Sequence, residues 1–554
     1  MWRLFFYKPP RRLPAASLRR GEFICYLLFV TCYLLLVICY LLFVTCYLLL
    51  VICYLLFVTC YLFILLSFFN LLCYNNYIMS DNFVKEIADI NGDFPKWYTD
   101  VVLKTELVDY GPVKGTMVIR PYGYEIWEHI QYEMNRRIKE TGHKNAYFPM
   151  FIPESYLKRE AEHVEGFAPE VAVVTHAGGE KLAEPLIIRP TSETIICEMY
   201  AKWISSYRDL PVLINQWANV VRWEKTTRPF LRTSEFLWQE GHTLHATEAE
   251  AMEETLKMLD VYKEFAENVL AIPVLTGKKT QKEKFAGAVA TYGMEAMMLD
   301  GKSLQAGTTH YLGTNFAKAF NMKFLDKDGT HKYGYSTSWG VSTRLIGAVI
   351  MTHGDARGLI LPPKVAPVQV IIIPIAADRN PAVLEKATEI KNALCALNVR
   401  AEIDLSDTSP GWKFNQWEMK GVPIRMEIGP KDLEKNQAVL ARRDSFQKAF
   451  RPLDVLSIEI PQLLAQIQKD MLEKARTMLG SRIVNCNSVD ELLKAVDNKC
   501  FARAAWCGER ACEDLIKEKT SASSRVIDDI NKSGDKCIVC GKPVKHTIIY
   551  ARAY

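Results

Sequence analysis

Apolar residues recur at helical spacing in four stretches of the chain. Ile126, Ile130, Met134 and Ile138 follow one another every four residues, and Thr141-Gly142 then ends the predicted helix. The same period predicts three more helices. Their apolar faces are Met252, Leu256, Leu259 and Ala266; Val383, Ala387, Ile390, Leu394 and Leu397; and Leu464, Ile467, Met471 and Met478.

Short apolar runs at residues 186–188, 220–221, 368–375 and 399–403 predict buried strands between these helices. The pattern divides the chain after residue 78 into three parts. Residues 79–362 mix helices and strands, and the Leu361-Pro362-Pro363 step marks a boundary. Residues 365–458 then form an α/β unit, and residues 459–554 open with a helix and end in a cysteine-bearing segment.

Residues 1–78 have a different pattern. From Cys25 a seven-residue unit alternates between CYLLFVT and CYLLLVI, and no charged residue stands between Glu22 and Asp81. Basic residues before this run fit a signal anchor, but a bilayer span needs only roughly 20 apolar residues and the run has no polar turn. A tandem nucleotide repeat translated upstream of a start at Met79 explains the pattern better. We therefore expect a dispensable extension and no membrane association.

The charge of the chain is concentrated in that extension. Of 68 basic and 63 acidic residues, six and one lie within residues 1–78, so the remaining 476 residues carry 62 of each. A neutral body excludes a uniformly basic nucleic-acid coat, and any nucleic-acid contact must come from local patches.

Two arginines bracket a loop between predicted strands. Arg222-Trp223-Glu224 is followed by Arg232 and Phe236, so both guanidinium groups lie at neighbouring strand ends, where they could clamp phosphate oxygens. An Arg-x-Glu pair alone is more often a surface salt bridge. Further on, Arg344 stands where a helix begins, which favours polyphosphate binding. No Walker loop or dinucleotide fingerprint precedes it.

This combination of motifs resembles motifs 2 and 3 of the class II aminoacyl-tRNA synthetases, and residues 147–153 resemble the end of motif 1. Thr191-Ser192-Glu193, Gly307-Thr308-Thr309-His310 and Ser409-Pro410-Gly411-Trp412 narrow the resemblance to prolyl-tRNA synthetases of the archaeal and eukaryotic type. It covers residues 83–554. It implies an α+β protein with an antiparallel-sheet catalytic domain (79–362), an α/β anticodon-binding domain (365–458) and a small α+β zinc-type C-terminal domain (459–554).

The implied reaction activates proline with ATP as prolyl-adenylate and then transfers it to tRNA(Pro). The resemblance makes Arg222 and Arg344 the catalytic residues, with Mg²⁺ bridging the phosphates. The implied ATP-binding set is Arg222, Glu224, Leu231, Arg232, Thr233, Phe236, Gln305, Thr308, Ser342 and Arg344.

Proline is a small ring with a secondary ammonium, so its pocket needs an acid, hydroxyl acceptors and flat apolar walls. The expected proline-binding residues are Thr191, Glu193, Arg222, Trp238, Phe285 and His310. On its own, Glu193 would be interpreted as an acidic residue in the first turn of a helix, and His310 as a structural histidine. Only about seventy residues separate Glu240 from His310. The editing insertion of bacterial relatives is therefore missing, and side activation of cysteine is expected.

The resemblance also implies that Glu418, Arg425 and Asp432 read anticodon guanines, while Lys413, Lys420, Arg442 and Arg443 could contact phosphates. Exposed charges on an α/β surface are the simpler interpretation of any one of them. Near the C-terminus the chain carries two pairs of cysteines, Cys507 with Cys512 and Cys537 with Cys540. The two pairs are separated by 24 residues. Four thiolates in two pairs suit structural Zn²⁺, with free or vestigial cysteines as the alternative.

We further expect a cytoplasmic homodimer, with a multisynthetase complex as an additional partner. The alternative functions are a synthetase-like protein that binds tRNA without charging it, a membrane-anchored protein defined by its repeat, and a class II synthetase for another amino acid. The presence of Arg222, Arg232 and Arg344 argues against the first of these.

Overall fold

The computed structural model describes residues 87–157 and 170–554. The apolar repeat, and the expectations that rest on it, lie outside these residues. From Glu86 to Tyr554 the chain forms one compact unit. Within the described part, no helix combines the length and apolar character needed to cross a membrane.

The large domain, residues 87–362, is built on a seven-stranded sheet in the order β3-β7-β8-β14-β11-β10-β9, antiparallel except for β3 beside β7. Its helices are α1 (Phe94–Lys104), α2 (Pro121–Glu140), α3 (Glu193–Trp203), α4 (Glu248–Asn268), α5 (Asn315–Ala319) and α6 (Arg344–His353). The strands of the main sheet are β3 (Lys144–Asn145), β7 (Val212–Val221), β8 (Glu235–His245), β9 (Val274–Lys278), β10 (Ala290–Met297), β11 (Ser303–Gly313) and β14 (Tyr335–Ser342).

Smaller sheets flank this one. They pair β1 (Val108–Tyr110) with β2 (Met117–Ile119), β12 (Lys323–Leu325) with β13 (His331–Tyr333), and β4 (Phe151–Pro153) with β6 (Glu180–Ile188) and β5 (Ala172–Ala177).

One face of the main sheet packs against α2 and α4 in the hydrophobic core of the large domain. The buried side of α2 carries Ile126, Ile130, Met134 and Ile138, each fully buried, as their spacing predicts. On β8, Gln239 points the same way and hydrogen-bonds Tyr262 of α4 at 2.6 Å. Alternation along the strand therefore sends Phe236, Trp238, Glu240 and His242 to the opposite face, where they line a cavity.

Gly241 shows how closely a side chain of one strand approaches the backbone of its neighbour in the main sheet. A Cβ atom placed there would lie 2.1 Å from the indole of Trp339 on the neighbouring strand. Only glycine leaves room for that ring at this register, so the residue fixes the packing of β8 against β14.

Residues 365–481 form the middle domain. Its five-stranded sheet runs β16-β15-β17-β18-β19, parallel among the first three strands and antiparallel among the last three. The strands are β15 (Val370–Pro374), β16 (Ala401–Ile403), β17 (Ile424–Ile428), β18 (Gln437–Arg442) and β19 (Lys448–Pro452). The helices are α7 (Pro381–Ala396), α8 (Pro410–Met419), α9 (Pro430–Glu434) and α10 (Leu456–Ser481).

The expected boundary between residues 458 and 459 falls inside α10. The first turns of this helix place Leu456, Ile460, Leu464 and Ile467 in the core of the middle domain. Packing thus assigns the helix to the middle domain.

The C-terminal domain holds a four-stranded sheet in the order β20-β21-β23-β22. Its elements are β20 (Ile483–Cys486), α11 (Val489–Asp497), β21 (Phe501–Trp506), α12 (Arg510–Thr520), β22 (Ser523–Ile527) and β23 (His546–Ala551). Arg525 reaches into the large domain and donates to Glu295 at 3.0 and 3.1 Å. Glu295 also pairs with Lys279, and all three side chains are buried. The Tyr554 hydroxyl donates to Asp300 at 2.7 Å.

Two of the predicted apolar faces are partly wrong. Leu256 is 40% exposed, because the face of α4 that meets the sheet runs through Met258, Leu259 and Tyr262 instead. Leu397 is 49% exposed, because α7 ends at Ala396 and Leu397 lies just beyond it.

Substitution at two neighbouring positions of α4 tests that corrected face. Met258→Ala should lower the free energy of unfolding by about 2–5 kcal/mol, since it opens a cavity in the core. Leu256→Ala should change it by less than about 0.5 kcal/mol. Urea titration of both variants measures the difference. Equal losses would contradict the orientation of the helix.

Candidate active site

A cavity of about 340 Å³ opens on the polar face of the main sheet. Strands β8, β10, β11 and β14, the starts of α3 and α6, and Arg222 just after β7 all contribute to its wall. Its lining includes eleven of the residues expected from the sequence: Thr191, Glu193, Arg222, Phe236, Trp238, Phe285, Gln305, Thr308, His310, Ser342 and Arg344. Residues up to 153 positions apart in the chain therefore meet at one site.

Arg222 follows the last residue of β7. Its Nε donates to the Pro190 carbonyl at 3.0 Å, and its guanidinium carbon lies 5.4 Å from the Phe236 ring and 5.7 Å from the Trp238 ring. Burial lowers the pKa of this guanidinium, and Glu193 and Glu240 partly offset that effect. The aromatic rings and the carbonyl hold the group in one orientation.

Arg344 is the first residue of α6. Its Nε and Nη1 donate to the carbonyls of Leu231 and Gln305 at 3.2 and 3.4 Å, and its backbone N–H donates to Ser342 Oγ at 3.2 Å. Burial and the positive charges of Arg222 and Arg232 lower its pKa to about 10, so it stays protonated at neutral pH.

Within the described part of the chain, no carboxylate lies within 4.0 Å of either Arg222 or Arg344. Each is held by backbone carbonyls and rings instead. Two half-buried cations in one cavity, each held by backbone carbonyls, form a site for an anion with several oxygens.

The opposite end of the cavity is acidic. Thr191 Oγ1 donates to Glu193, and Ser192 Oγ donates to Glu240. Glu240 also accepts from Gln216 Nε2 at 2.5 Å and lies 3.1 Å from His242 Nε2. Burial opposes protonation of His242, but Glu240 and Glu193 outweigh it and raise the pKa of the imidazole.

His310 sits at the rim of this acidic end. Its ring centroid is 4.6 Å from that of Phe285, and its Nδ1 is 3.0 Å from Thr291 Oγ1. Burial lowers the pKa of His310 to about 4, so the ring is neutral at physiological pH. It therefore serves as a flat, uncharged wall of the cavity.

Four of the expected nucleotide-binding residues lie outside this cavity. Glu224 and Arg232, 3.9 Å apart, line an adjoining cavity of about 280 Å³ that also contains Arg222. The side chains of Leu231 and Thr233 are buried away from both cavities. Leu231 acts through its carbonyl, which holds Arg344, and Thr233 donates to the Glu235 carbonyl at 2.7 Å.

Sequence reasoning missed several wall residues, among them Glu240, His242, Glu283, Thr291, Ser338 and Trp339. Alternation along β8 was the available signal, since Phe236 and Trp238 already indicated the exposed face. Three wall residues, Trp238, Ser338 and Trp339, each have a buried polar side-chain atom without a hydrogen-bond partner among the described residues. The Trp339 indole packs against Gly241. Trp238 Nε1 and Ser338 Oγ suit a ligand that carries acceptors.

A second cavity, of about 160 Å³, lies on the middle domain and includes Glu418 and Arg425. Asp432 does not line it, because its carboxylate accepts from the Gly429 N–H at 3.0 Å and caps α9. This placement disagrees with the expected grouping of the three residues. The structure brings two of them together.

All four of the expected phosphate-binding cations are engaged by the protein itself. Lys413 is buried and donates to the Asp404 carbonyl at 3.0 Å, and Arg443 is buried against Asp355. Their burial contradicts the predicted phosphate role for these two. Arg442 pairs with Asp444 and Asp470, and Lys420 pairs with Glu106 at 3.2 Å. For Arg442 and Lys420 a phosphate role stays a prediction.

The sulfur atoms of Cys507, Cys512, Cys537 and Cys540 lie within 4.8 Å of one another. Cys507 is 3.7 Å from Cys512 and 3.6 Å from Cys540. Sulfurs around a tetrahedral zinc with bonds of about 2.3 Å lie about 3.8 Å apart, so this donor set fits the ion. A hydrogen bond from the Lys542 backbone lowers the pKa of Cys540 to about 7.

Comparison with known families agrees with the three domains. The model of the tRNA synthetase class II core domain (G, H, P, S and T) matches residues 177–353, and that of the anticodon binding domain matches residues 369–469. The model of the prolyl-tRNA synthetase C-terminal domain matches residues 489–554. The fold and the site thus define a class II aminoacyl-tRNA synthetase.

Comparison with similar proteins narrows the class II synthetases to one family. Proline–tRNA ligase of Alkaliphilus oremlandii is 59% identical over 475 residues, which cover 85% of this chain and 98% of that protein. Proline–tRNA ligase 2 of Bacillus cereus (strain ATCC 14579) is 55% identical over 478 residues, 86% of this chain and 100% of that protein. A crystal structure of prolyl-tRNA synthetase from Cryptosporidium parvum, complexed with halofuginone and AMPPNP, is similar with a TM-score of 0.81 and 43% identity, covering 84% of this chain and 99% of that one. The chain belongs to the prolyl-tRNA synthetases, the family of proline–tRNA ligases.

The lowered pKa of His310 predicts acid sensitivity. Between about pH 6.5 and 4 the unfolded state binds a proton that the folded state excludes, so stability is full above this window and falls as the pH falls through it. His310→Gln should reduce the slope by up to about 1.4 kcal/mol per pH unit. Urea titrations at several pH values measure the slope, with the exposed His331→Gln as control. An unchanged slope in His310→Gln would contradict the buried neutral imidazole.

Proposed function

We propose that this chain attaches L-proline to tRNA(Pro) in two steps, through a prolyl-adenylate. The observation that carries the proposal is the meeting of two half-buried arginines, held by backbone carbonyls, and an acidic aromatic-walled pocket in one cavity. The arginines suit the triphosphate, and the acidic end suits the secondary ammonium of proline. Family membership at 59% identity supports the same assignment.

In the first step a carboxylate oxygen of proline attacks the α-phosphorus of ATP, and pyrophosphate leaves. Arg222 binds the α-phosphate and the proline carboxylate, while Arg344 binds the γ-phosphate of a bent ATP. Phe236 stacks on adenine, and Gln305, Thr308, Ser342 and the Glu224–Arg232 pair complete the nucleotide site. Catalysis then consists of positioning and charge stabilisation rather than covalent chemistry by the protein. In the second step a ribose hydroxyl of the terminal adenosine takes the prolyl group and AMP leaves.

The proline pocket depends on fixed charge. Glu193 accepts from the ammonium, and Thr191 holds that carboxylate in place. Neutral His310 and the rings of Trp238 and Phe285 exclude water around the pyrrolidine. The Ser192–Glu240–Gln216 network supports the start of α3, so it positions Glu193 from behind.

Mg²⁺ is proposed as the metal that accompanies ATP, where it would neutralise phosphate charge. Of the three carboxylates on the cavity wall, Glu193 and Glu240 are already engaged by protein donors, and Glu283 would be the protein ligand for the ion. Few protein ligands beside phosphate oxygens and water are the common mode of Mg²⁺ binding.

The archaeal and eukaryotic type is proposed as an architecture and not as a lineage, because the sequence relatives named above are bacterial. The solved structure from Cryptosporidium parvum covers nearly the same length. Strands β8 and β11 are joined by α4, β9 and β10, which leaves no room for an inserted editing domain between motifs 2 and 3. A chain of this type would activate cysteine and would not correct the error itself.

Several further expectations remain proposals. A homodimer would use the exposed aromatic surface around Tyr147 and Phe151, at the expected end of motif 1. The eight described cysteines are free thiols, which suits the cytoplasm. Glu418 and Arg425 would read the anticodon of tRNA(Pro). Membership of a multisynthetase complex has no support in the described surface, and residues 1–78 have no role in this proposal.

Amino-acid-dependent ATP–pyrophosphate exchange tests the catalytic proposal. The full chain should exchange with proline, more weakly with cysteine, and not with threonine or histidine. The preference for proline over cysteine should not exceed about a thousandfold, because a small apolar pocket separates near-isosteres by only about 1–3 kcal/mol.

Two variants, one in the active site and one as a control, extend the exchange assay to the role of Arg344. Arg344→Ala should lower the rate about 10²- to 10³-fold, whereas Arg379→Ala, on the exposed surface of the middle domain, should leave it unchanged. A folded chain that binds tRNA(Pro) but exchanges with no amino acid would instead be a non-catalytic tRNA-binding protein.

Zinc is proposed as a structural ion held by Cys507, Cys512, Cys537 and Cys540. Metal analysis of the purified chain should find about one zinc per chain, and Cys507→Ser combined with Cys512→Ser should abolish it. Cys395→Ser, at an exposed cysteine outside the cluster, is the control and should retain the metal. Absence of zinc from the unaltered chain would favour free cysteines.

A further inference from the structure

Glu418, the last residue but one of α8, has its carboxylate held unevenly. Oε1 accepts from Arg357 Nη1 at 2.7 Å, whereas Oε2 lies 3.7 Å from the nearest arginine nitrogen, Nη1 of Arg425. The side chain is 16% exposed and lines the cavity on the middle domain. One oxygen is therefore committed, and the other is free to accept a hydrogen bond within that cavity.

Arg357 belongs to the segment that follows α6 of the large domain. Its backbone N–H donates to Asp355 Oδ1 at 2.8 Å, and the same carboxylate accepts from Arg443 at 2.6 and 2.8 Å. Trp97 Nε1 donates to the Asp355 carbonyl at 2.9 Å. Asp355 thus ties the backbone of Arg357 to both domains, so Arg357 approaches Glu418 from a fixed position.

The guanidinium of Arg357 also forms a flat surface. Its central carbon lies 4.5 Å from the ring centre of Phe446, and both side chains are exposed, Arg357 by 60% and Phe446 by 44%. Both line the cavity that contains Glu418 and Arg425. Guanidinium planes and aromatic rings are the surfaces on which unstacked RNA bases bind.

We propose that Arg357 is a positioning residue for anticodon recognition. It holds Oε1 of Glu418 so that Oε2 accepts from the 2-amino group of an anticodon guanine, while the base stacks beside the Arg357–Phe446 pair. The inference rests on the proposed function, because that function makes tRNA(Pro) the ligand of this cavity. An isolated surface ion pair would contribute little, but this one orients the group that reads the base.

Binding of anticodon stem-loop RNA to the full chain tests the proposal without requiring catalysis. Two hairpins are compared, one with the natural anticodon guanines and one with inosine, which lacks the 2-amino group. The unaltered chain should prefer guanosine about tenfold. Arg357→Ala should reduce that preference to less than about twofold, and Arg357→Lys, which keeps the charge but not the fork, should restore it only in part. Arg379→Ala should keep the full preference.

Three outcomes would overturn the proposal. An unchanged preference in Arg357→Ala would reduce the contact to a surface ion pair. Equal weakening of both hairpins in this variant, with a smaller salt dependence, would make Arg357 a phosphate contact. The third is equal binding of both hairpins by the unaltered chain. Failure of the proposed function has a different signature, namely guanosine preference without pyrophosphate exchange.

Discussion

The placement of two like charges in one cavity is the constraint on which the rest of the large domain depends. Arg222 and Arg344 repel each other and are half-buried. The carbonyls of Pro190, Leu231 and Gln305 accept from them, and these carbonyls are useful only while two loops and strand β11 hold them in place. The seven-stranded sheet supplies that rigidity, because its other face is fixed against α2 and α4.

Two carboxylates of the cavity are also held by neighbouring polar groups of the protein. Glu240 is buried beside Ser192, Gln216 and His242, so its charge is distributed over several donors and remains in place without a ligand. Carboxylates and guanidinium groups that line the same cavity orient a substrate that is itself zwitterionic. The site thus selects orientation through charges that were fixed when the protein folded.

Motifs with a chemical reason for their spacing could be predicted from the sequence. Which edge of a helix is buried, and which partner a charged side chain meets in the folded protein, could not. Arg222 and Arg344 met in one cavity as expected, with Arg232 in the adjoining one, and the four cysteines came within metal-binding distance. Leu256 was misplaced because a stripe of period 3.6 drifts across a long helix, and only the sheet decides which edge is buried. Lys413 and Arg443 were misread because a cation in a sequence does not reveal a carboxylate or carbonyl that tertiary folding brings beside it.

Glu295 has a consequence for the modularity of the chain. It is buried between Lys279 of its own domain and Arg525 of the C-terminal domain, so two of the hydrogen bonds to this carboxylate come from a residue 230 positions away. The C-terminal domain is therefore not an independent appendage. A chimera that grafted the C-terminal part of a distant homologue onto this catalytic domain would have to import an arginine at the same register, or leave the buried Glu295 carboxylate with Lys279 as its remaining cation.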